Sequence, residues 1–166
     1  HNAVNDLIRR ALASANIPGL LERASLSRDD SNKRPDGLTV LPWANGRCAV
    51  WDFTCPDTLA ASHLNRAVTG AGAVANDAEI RKTAKYRQLS ALYMFKPVAV
   101  ETLGVPGDEA LTFLKDLGHR ITAVTAEPRS LQFLMQRISV AVQRGNAACV
   151  IGTVPLMVSW EELFYI

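Results

Sequence analysis

Apolar residues recur at Val4, Leu7, Ile8, Ala11 and Leu12 with Arg9 and Arg10 on the other side, the spacing of an amphipathic helix over residues 2–15. Pro18 and Gly19 end it, and Leu20, Leu21 and Glu22 read as a short first strand. Residues 25–35 are polar and rich in turn formers, which predicts a surface loop. Two runs of strand type follow, 38–43 and 47–53, on either side of Ala44, Asn45 and Gly46. Asn-Gly is a strong hairpin signal because both residues tolerate positive φ. Pro56 stops the second strand, and Asp57 or Thr58 can cap the next helix. From 59 to 89 the pattern is helical but interrupted at Gly70, Ala71 and Gly72, predicting two helices or one broken there; the part over 73–89 is densely charged. Residues 91–102 are apolar with β-branched and aromatic members, as in a buried strand of a mixed sheet. Further helices are predicted over 108–117 and 128–144, the second with Pro128 in its first turn and Gly145 as its stop. Residues 150–166 take no assignment. The order is α/β, without the regular alternation of a doubly wound parallel sheet.

At 166 residues with 48% apolar, the chain has the size of one domain able to bury a core, with 1–103 as its main body, 104–149 as C-terminal helices and 150–166 as a tail. The net charge of +2 gives no global basic field, so any contact with nucleic acid must come from a local patch. The 3 cysteines are odd in number and lack metal spacing, which reads as reduced thiols of an intracellular protein, with Cys48 in the core. No apolar run is long enough to cross a bilayer, and the first residues lack signal-peptide order. A chain beginning at His1 without methionine is expected to be a piece of something longer.

The candidate chemistry lies around the hairpin. Asp36 precedes its first strand and Asp52 lies near the end of its second, so pairing the strands brings both carboxylates to one open end. Two such carboxylates suit Mg²⁺, which takes one or two of them plus waters and substrate phosphate. Asp52 sits among Val50, Trp51 and Phe53, where an unpaired carboxylate is costly to bury, so it points outward or has a charged partner. Asp36, in Pro-Asp-Gly, is equally an ordinary turn residue. Glu79, Lys82 and Tyr86 share a helix face, although charged faces are commonly just solvated. Arg9, Arg10, Arg28, Lys33, Arg34, Arg81, Lys82, Lys85 and Arg87 all fall in this half, and would form a phosphate-binding patch if they converge. His63 and His119 have no second ligand at metal spacing and read as surface or core residues. There is no glycine-rich phosphate loop after a strand and no nucleophile elbow, which argues against a small-molecule α/β enzyme.

The αβββαβ order, with Pro35 and Asp36 at the entrance of one hairpin strand and Asp52, Phe53 and Thr54 on the next, resembles the PD-(D/E)xK nuclease superfamily, the restriction-endonuclease-like fold. The resemblance covers roughly residues 1–103. That family carries a lysine two residues after the second acid, where this chain has Thr54. Some branches place the lysine on the following helix, and Lys82, Lys85 and Tyr86 look like that arrangement. Together with Arg34, Pro35 and Asp36 they are most similar to the restriction-like endonuclease domains of site-specific non-LTR retrotransposons.

The resemblance implies a mixed sheet flanked by helices, with Asp36 and Asp52 holding Mg²⁺ or Mn²⁺ and Glu22 either completing the metal site or standing solvated on the first strand. Lys82 or Lys85 would position the attacking water or neutralise charge on the phosphorane. Thr54, Glu79 and Tyr86 would support the site, and Lys33, Arg34, Arg81 and Arg87 would contact DNA. His1 would correspond to the first-helix histidine of RecB-type nucleases. The implied activity is endonucleolytic nicking of DNA by a domain of a mobile element, intracellular and, in a eukaryote, nuclear, serving a reverse transcriptase of the same polypeptide. Thr54 favours the alternative, a nuclease-like fold that has lost its chemistry and binds nucleic acid or protein.

Overall fold

The computed structural model describes residues 1–21 and 34–153. It is mixed α/β. Helix α1 (Asn2–Ser14) leads to β1 (Gly19–Leu21), followed by β2 (Gly37–Thr39) and β3 (Ala49–Thr54). Then come α2 (Leu64–Ala67), α3 (Ala73–Lys85), a 3-10 turn (Arg87–Ala91), β4 (Met94–Ala99), α4 (Asp108–Thr125) and α5 (Ser130–Thr153). The strands make one sheet in the order β1-β2-β3-β4, antiparallel except for the parallel pair β3 and β4. A parallel pair needs a crossover, which α2 and α3 provide.

Alternation along the parallel strands β3 and β4 divides the molecule. Trp51, Phe53, Val98 and Val100 join the main core with Ile8 and Leu12 of α1, Phe113 and Leu114 of α4, and Leu134 and Ile138 of α5. Ala99 points the other way, against Ala75 and Ala78 of α3. Asp52, between Trp51 and Phe53, is turned to the α3 side by the same period of two. The Trp51 indole lies across β2, and a Cβ at Gly37 would collide with it. Gly37 is therefore a sheet residue kept small by Trp51, rather than the end of a turn.

Two buried glutamates fasten α3 and α4. Each of these helices has a glycine at its N-cap, Gly72 and Gly107, with no side chain to receive the first amides. Glu101 reaches α3 instead, its Oε1 accepting from Val74 N (3.0 Å) and Ala75 N (3.3 Å). Glu79 does the same for α4, accepting from Ala110 N (2.8 Å) and Glu109 N (3.0 Å). A carboxylate at a helix N-terminus also meets the positive end of the helix dipole.

Several sequence expectations need correction. The hairpin has its Asn-Gly turn, with Asn45 and Gly46 at φ 49° and 70° and an Ala44–Arg47 bridge. Its first strand is only β2, however, because residues 40–43 bulge out. Continued without interruption, the bridge register would set Asp36 opposite Cys55; the actual register, Gly37 with Trp51 and Leu38 with Val50, runs on to Asp36 opposite Asp52. Cys48 precedes β3 and is half-buried rather than core. The helical stretch breaks at the predicted glycines, but α3 stops at Lys85 and β4 begins only at Met94. Asp57 receives Leu59 N (3.0 Å) in a turn ahead of α2, so it caps no helix. Helix α4 runs on to Thr125, past Gly118, which packs directly on Leu131, and Gly145 lies inside α5 instead of ending it.

Candidate functional site

β3 delivers Asp52, the bend before β2 delivers Asp36, and α3 covers both. The Lys82 ammonium is ion-paired with Asp52 Oδ2. The Tyr86 hydroxyl oxygen lies 2.9 Å from Asp52 Oδ1 and 2.9 Å from the Arg34 carbonyl, so its single proton is shared between the two acceptors. Lys82 and Tyr86 are four apart and hence on one face of α3 and its end. Asp36 Oδ2 accepts from Phe53 N at 2.6 Å, and Asp36 N donates to Trp51 O at 3.0 Å, which clamps the acid against the edge of β3.

A chain of hydrogen bonds from the core orients the far side. The Trp51 indole nitrogen, which can only donate, gives its proton to Asn5 Oδ1 (3.2 Å). This fixes the Asn5 amide, whose Nδ2 then donates to His1 Nδ1 (3.2 Å). The proton of the neutral imidazole is left on Nε2, which donates to Phe53 O (3.0 Å) and lies 3.3 Å from Asp36 Oδ2. Side-chain exposure grades outward, from Asp52 at 4% through Asp36 at 15% and Lys82 at 25% to His1 at 52%, so solvent reaches the acids from the His1 and Lys82 sides.

Burial pushes the Asp36 carboxyl above the usual carboxylate range; the Phe53 amide opposes that shift, and the neighbouring Asp52 charge adds to it. Burial and the Asp52 carboxylate both raise the Tyr86 hydroxyl, keeping it a protonated donor at any pH of interest. The Glu79 carboxyl is also raised by burial, despite its amide partners.

Asp52 Oδ2 is buried, and its one partner among the described residues is the Lys82 ammonium. Carboxylate oxygens are the ligands a hard cation takes, and Asp36 across the strand pair supplies a second carboxylate beside Asp52. No group of three His, Cys, Asp or Glu among the described residues is arranged to hold a metal. Glu22, the expected third ligand, lies outside the described residues, as does Lys33. Two carboxylates are nevertheless a sufficient protein contribution for Mg²⁺ that keeps its waters and a substrate phosphate. The donor set fits such an ion.

Of the predicted residues, the structure brings together Asp36, Asp52, Lys82, Tyr86 and His1. Lys85 is not with them; its ammonium sits 4.8 Å over the outer face of the Tyr86 ring. Glu79 leaves the site for the amides of α4, although it shares a helix with Lys82. Thr54 is half-buried on β3, its carbonyl taking Val100 N (3.0 Å). Arg81 and Arg87 are exposed, and Arg34 contributes its carbonyl to Tyr86. Asn5 and Trp51 were missed as site residues. Asn5 carried a signal, since it sits among Val4, Leu7 and Ile8 on the apolar face of α1 where a polar residue needs a partner. Comparison of the chain with models of known protein families gives no match, and none of the curated proteins compared with it matches, which leaves the geometry around Asp36 and Asp52 as the ground for assigning a function.

Proposed function

We propose that the chain is a metal-dependent phosphodiesterase that nicks DNA, built on a restriction-endonuclease-like core. The observation that carries this reading is Lys82, delivered by the crossover helix onto the buried oxygen of Asp52 with Asp36 across the strand pair. Two neighbouring acids and a lysine, with Asp36 and Lys82 partly open to solvent, match the needs of phosphodiester hydrolysis, in which charge develops on the phosphoryl oxygens. Asp36 and Asp52 would hold Mg²⁺ or Mn²⁺, which supplies Lewis-acid stabilisation of that charge and a more acidic water. Lys82 turns from Asp52 toward the phosphate and neutralises it. Tyr86 keeps Asp52 in place by its hydroxyl, and His1 Nε2 holds the outer side of Asp36. A water nucleophile acting without a covalent intermediate inverts the phosphorus. The resemblance to retrotransposon domains extends the proposal to a mobile element in which a reverse transcriptase uses the nick.

A second reading is a nuclease-like fold that binds without cutting. It is favoured by the self-contained pairing of Asp52, which Lys82 and Tyr86 satisfy without a metal. Supercoiled plasmid incubated with the purified chain and Mg²⁺ or Mn²⁺ separates the two. Metal-dependent nicking should appear in wild type, vanish in EDTA and drop roughly 100-fold or more in Asp52→Asn, the scale of losing a central electrostatic group. Wild type and Asp52→Asn equally silent, with DNA binding intact, would establish the binding fold.

A further inference from the structure

A cavity of about 870 Å³ opens between α1, α5 and the end of β3. His1 and Phe53 line it, and the same two residues touch Asp36 Oδ2, so it starts one residue away from Asp36. Its floor is apolar, with Val4, Leu7 and Val140, the last 56% exposed. Arg137 and Arg144 stand along the α5 wall, seven residues apart and therefore two turns apart on one side of the helix. Neither has a carboxylate within ion-pair distance among the described residues, whereas Arg10 on the α1 wall is held by Asp6 at 2.8 Å.

Guanidinium groups without an ion-pair partner among the described residues, above an apolar floor, match a ligand with phosphates along one edge and flat apolar faces along the other. The volume is in the range of enclosed small-ligand sites, enough for a short stretch of unpaired strand and too narrow for a duplex. We infer that the α1/α5 groove binds single-stranded nucleic acid next to the cleavage point, with Arg137 and Arg144 on its phosphates and its bases over Val4, Leu7 and Val140. The inference rests on the phosphodiesterase reading and gives the C-terminal helices their role: they hold a strand that has left the duplex beside the acids.

The test is fluorescence anisotropy of a short labelled thymidine oligonucleotide on the whole chain in EDTA, where no cleavage occurs. Arg137→Gln with Arg144→Gln, both at exposed positions, should raise Kd roughly tenfold or more, because each removes a charge-assisted contact. The salt dependence should flatten by about 0.7 in slope for each arginine removed. Cys55 and Cys149 line the same groove, so bound oligonucleotide should slow their alkylation and leave that of Cys48 unchanged. An unchanged Kd and slope in the double variant, equal losses for duplex and single strand, or no protection of the two thiols would overturn the inference. The plasmid assay is independent: nicking that persists in the arginine variant while oligonucleotide binding is unaffected rejects the groove alone, and absent nicking with intact groove binding rejects the phosphodiesterase.

Discussion

Replacing Lys82 while keeping Asp52 would leave a carboxylate only 4% exposed against a hydrocarbon stem. Breaking a fully buried ion pair from one side costs about 3–5 kcal/mol, but Lys82 keeps a quarter of its surface in water, so the expected cost of Lys82→Met is nearer 1–3 kcal/mol. Adding Asp52→Asn removes the stranded charge, and the double variant should be more stable than the sum of the two single losses. Urea denaturation of the four proteins in that cycle measures the coupling; strict additivity would mean that the pair is not a unit. The pairing explains a feature visible in the sequence, an acid flanked by Val50, Trp51 and Phe53 that had to have a charged partner or face outward. It has the partner. The sequence could not say which of Lys82 and Lys85 reaches it, because both lie near the same end of α3 and the choice depends on where the helix stops and turns. His1 and Asn5 were harder still, since their roles come from hydrogen bonds across more than forty residues of chain, to Phe53 and Trp51.

At the scale of elements, the periods were readable and the interruptions were not. Helix α1, the break ahead of α3, the Asn-Gly turn and the strand around Val98 all follow from local pattern. The bulge at residues 40–43 does not, because it is fixed by what the sheet gains: it slides Gly37 under the Trp51 indole and sets Asp36 opposite Asp52. Helix α4 runs past Leu117 through Gly118, and Gly145 does not end α5. A glycine inside a helix costs roughly 1 kcal/mol relative to alanine, yet at Gly118 it lets α4 pack on Leu131 of α5, so tertiary packing outweighs the local cost. Gly37→Ala tests this register. A Cβ there must displace a fully buried tryptophan, so the loss should be about 2–4 kcal/mol, in the range of overpacked cores or above it. Near-ultraviolet circular dichroism should show Trp51 disturbed. An alanine variant as stable as wild type would mean that the indole does not lie across β2.

Across the whole molecule, the shifted carboxyls fall into two groups that oppose each other in pH dependence. Asp6 and Glu127 lie at the surface, and hydrogen bonds from Arg9 and Arg129 hold them below the usual carboxylate range. They favour the folded state above their unfolded pKa values and lose that contribution as pH falls through their lower native values. Asp36 and Glu79 are raised by burial, so the native state holds their protons more tightly than the unfolded chain does. Their contribution is fully present below the unfolded values of 3.8 and 4.5 and is lost as pH rises through the higher native values. Wherever Asp36 is ionised, the fold therefore keeps that charge at a cost. Glu79 recovers part of its own cost through the amides of α4, and Asp36 has the single amide of Phe53. Asp36→Asn keeps an oxygen for Phe53 N while removing the charge, so the variant should be more stable than wild type at about pH 7, by roughly 0.5–2 kcal/mol, with the difference shrinking toward about pH 4 as Asp36 itself becomes protonated. The same substitution should abolish nicking, because an amide cannot replace a carboxylate on a hard cation. Paired urea titrations at the two pH values decide the matter. A variant less stable than wild type at neutral pH, or a difference that does not change with pH, would show that the charge on Asp36 is not held at a cost, and would remove one physical reason for regarding Asp36 as a functional residue.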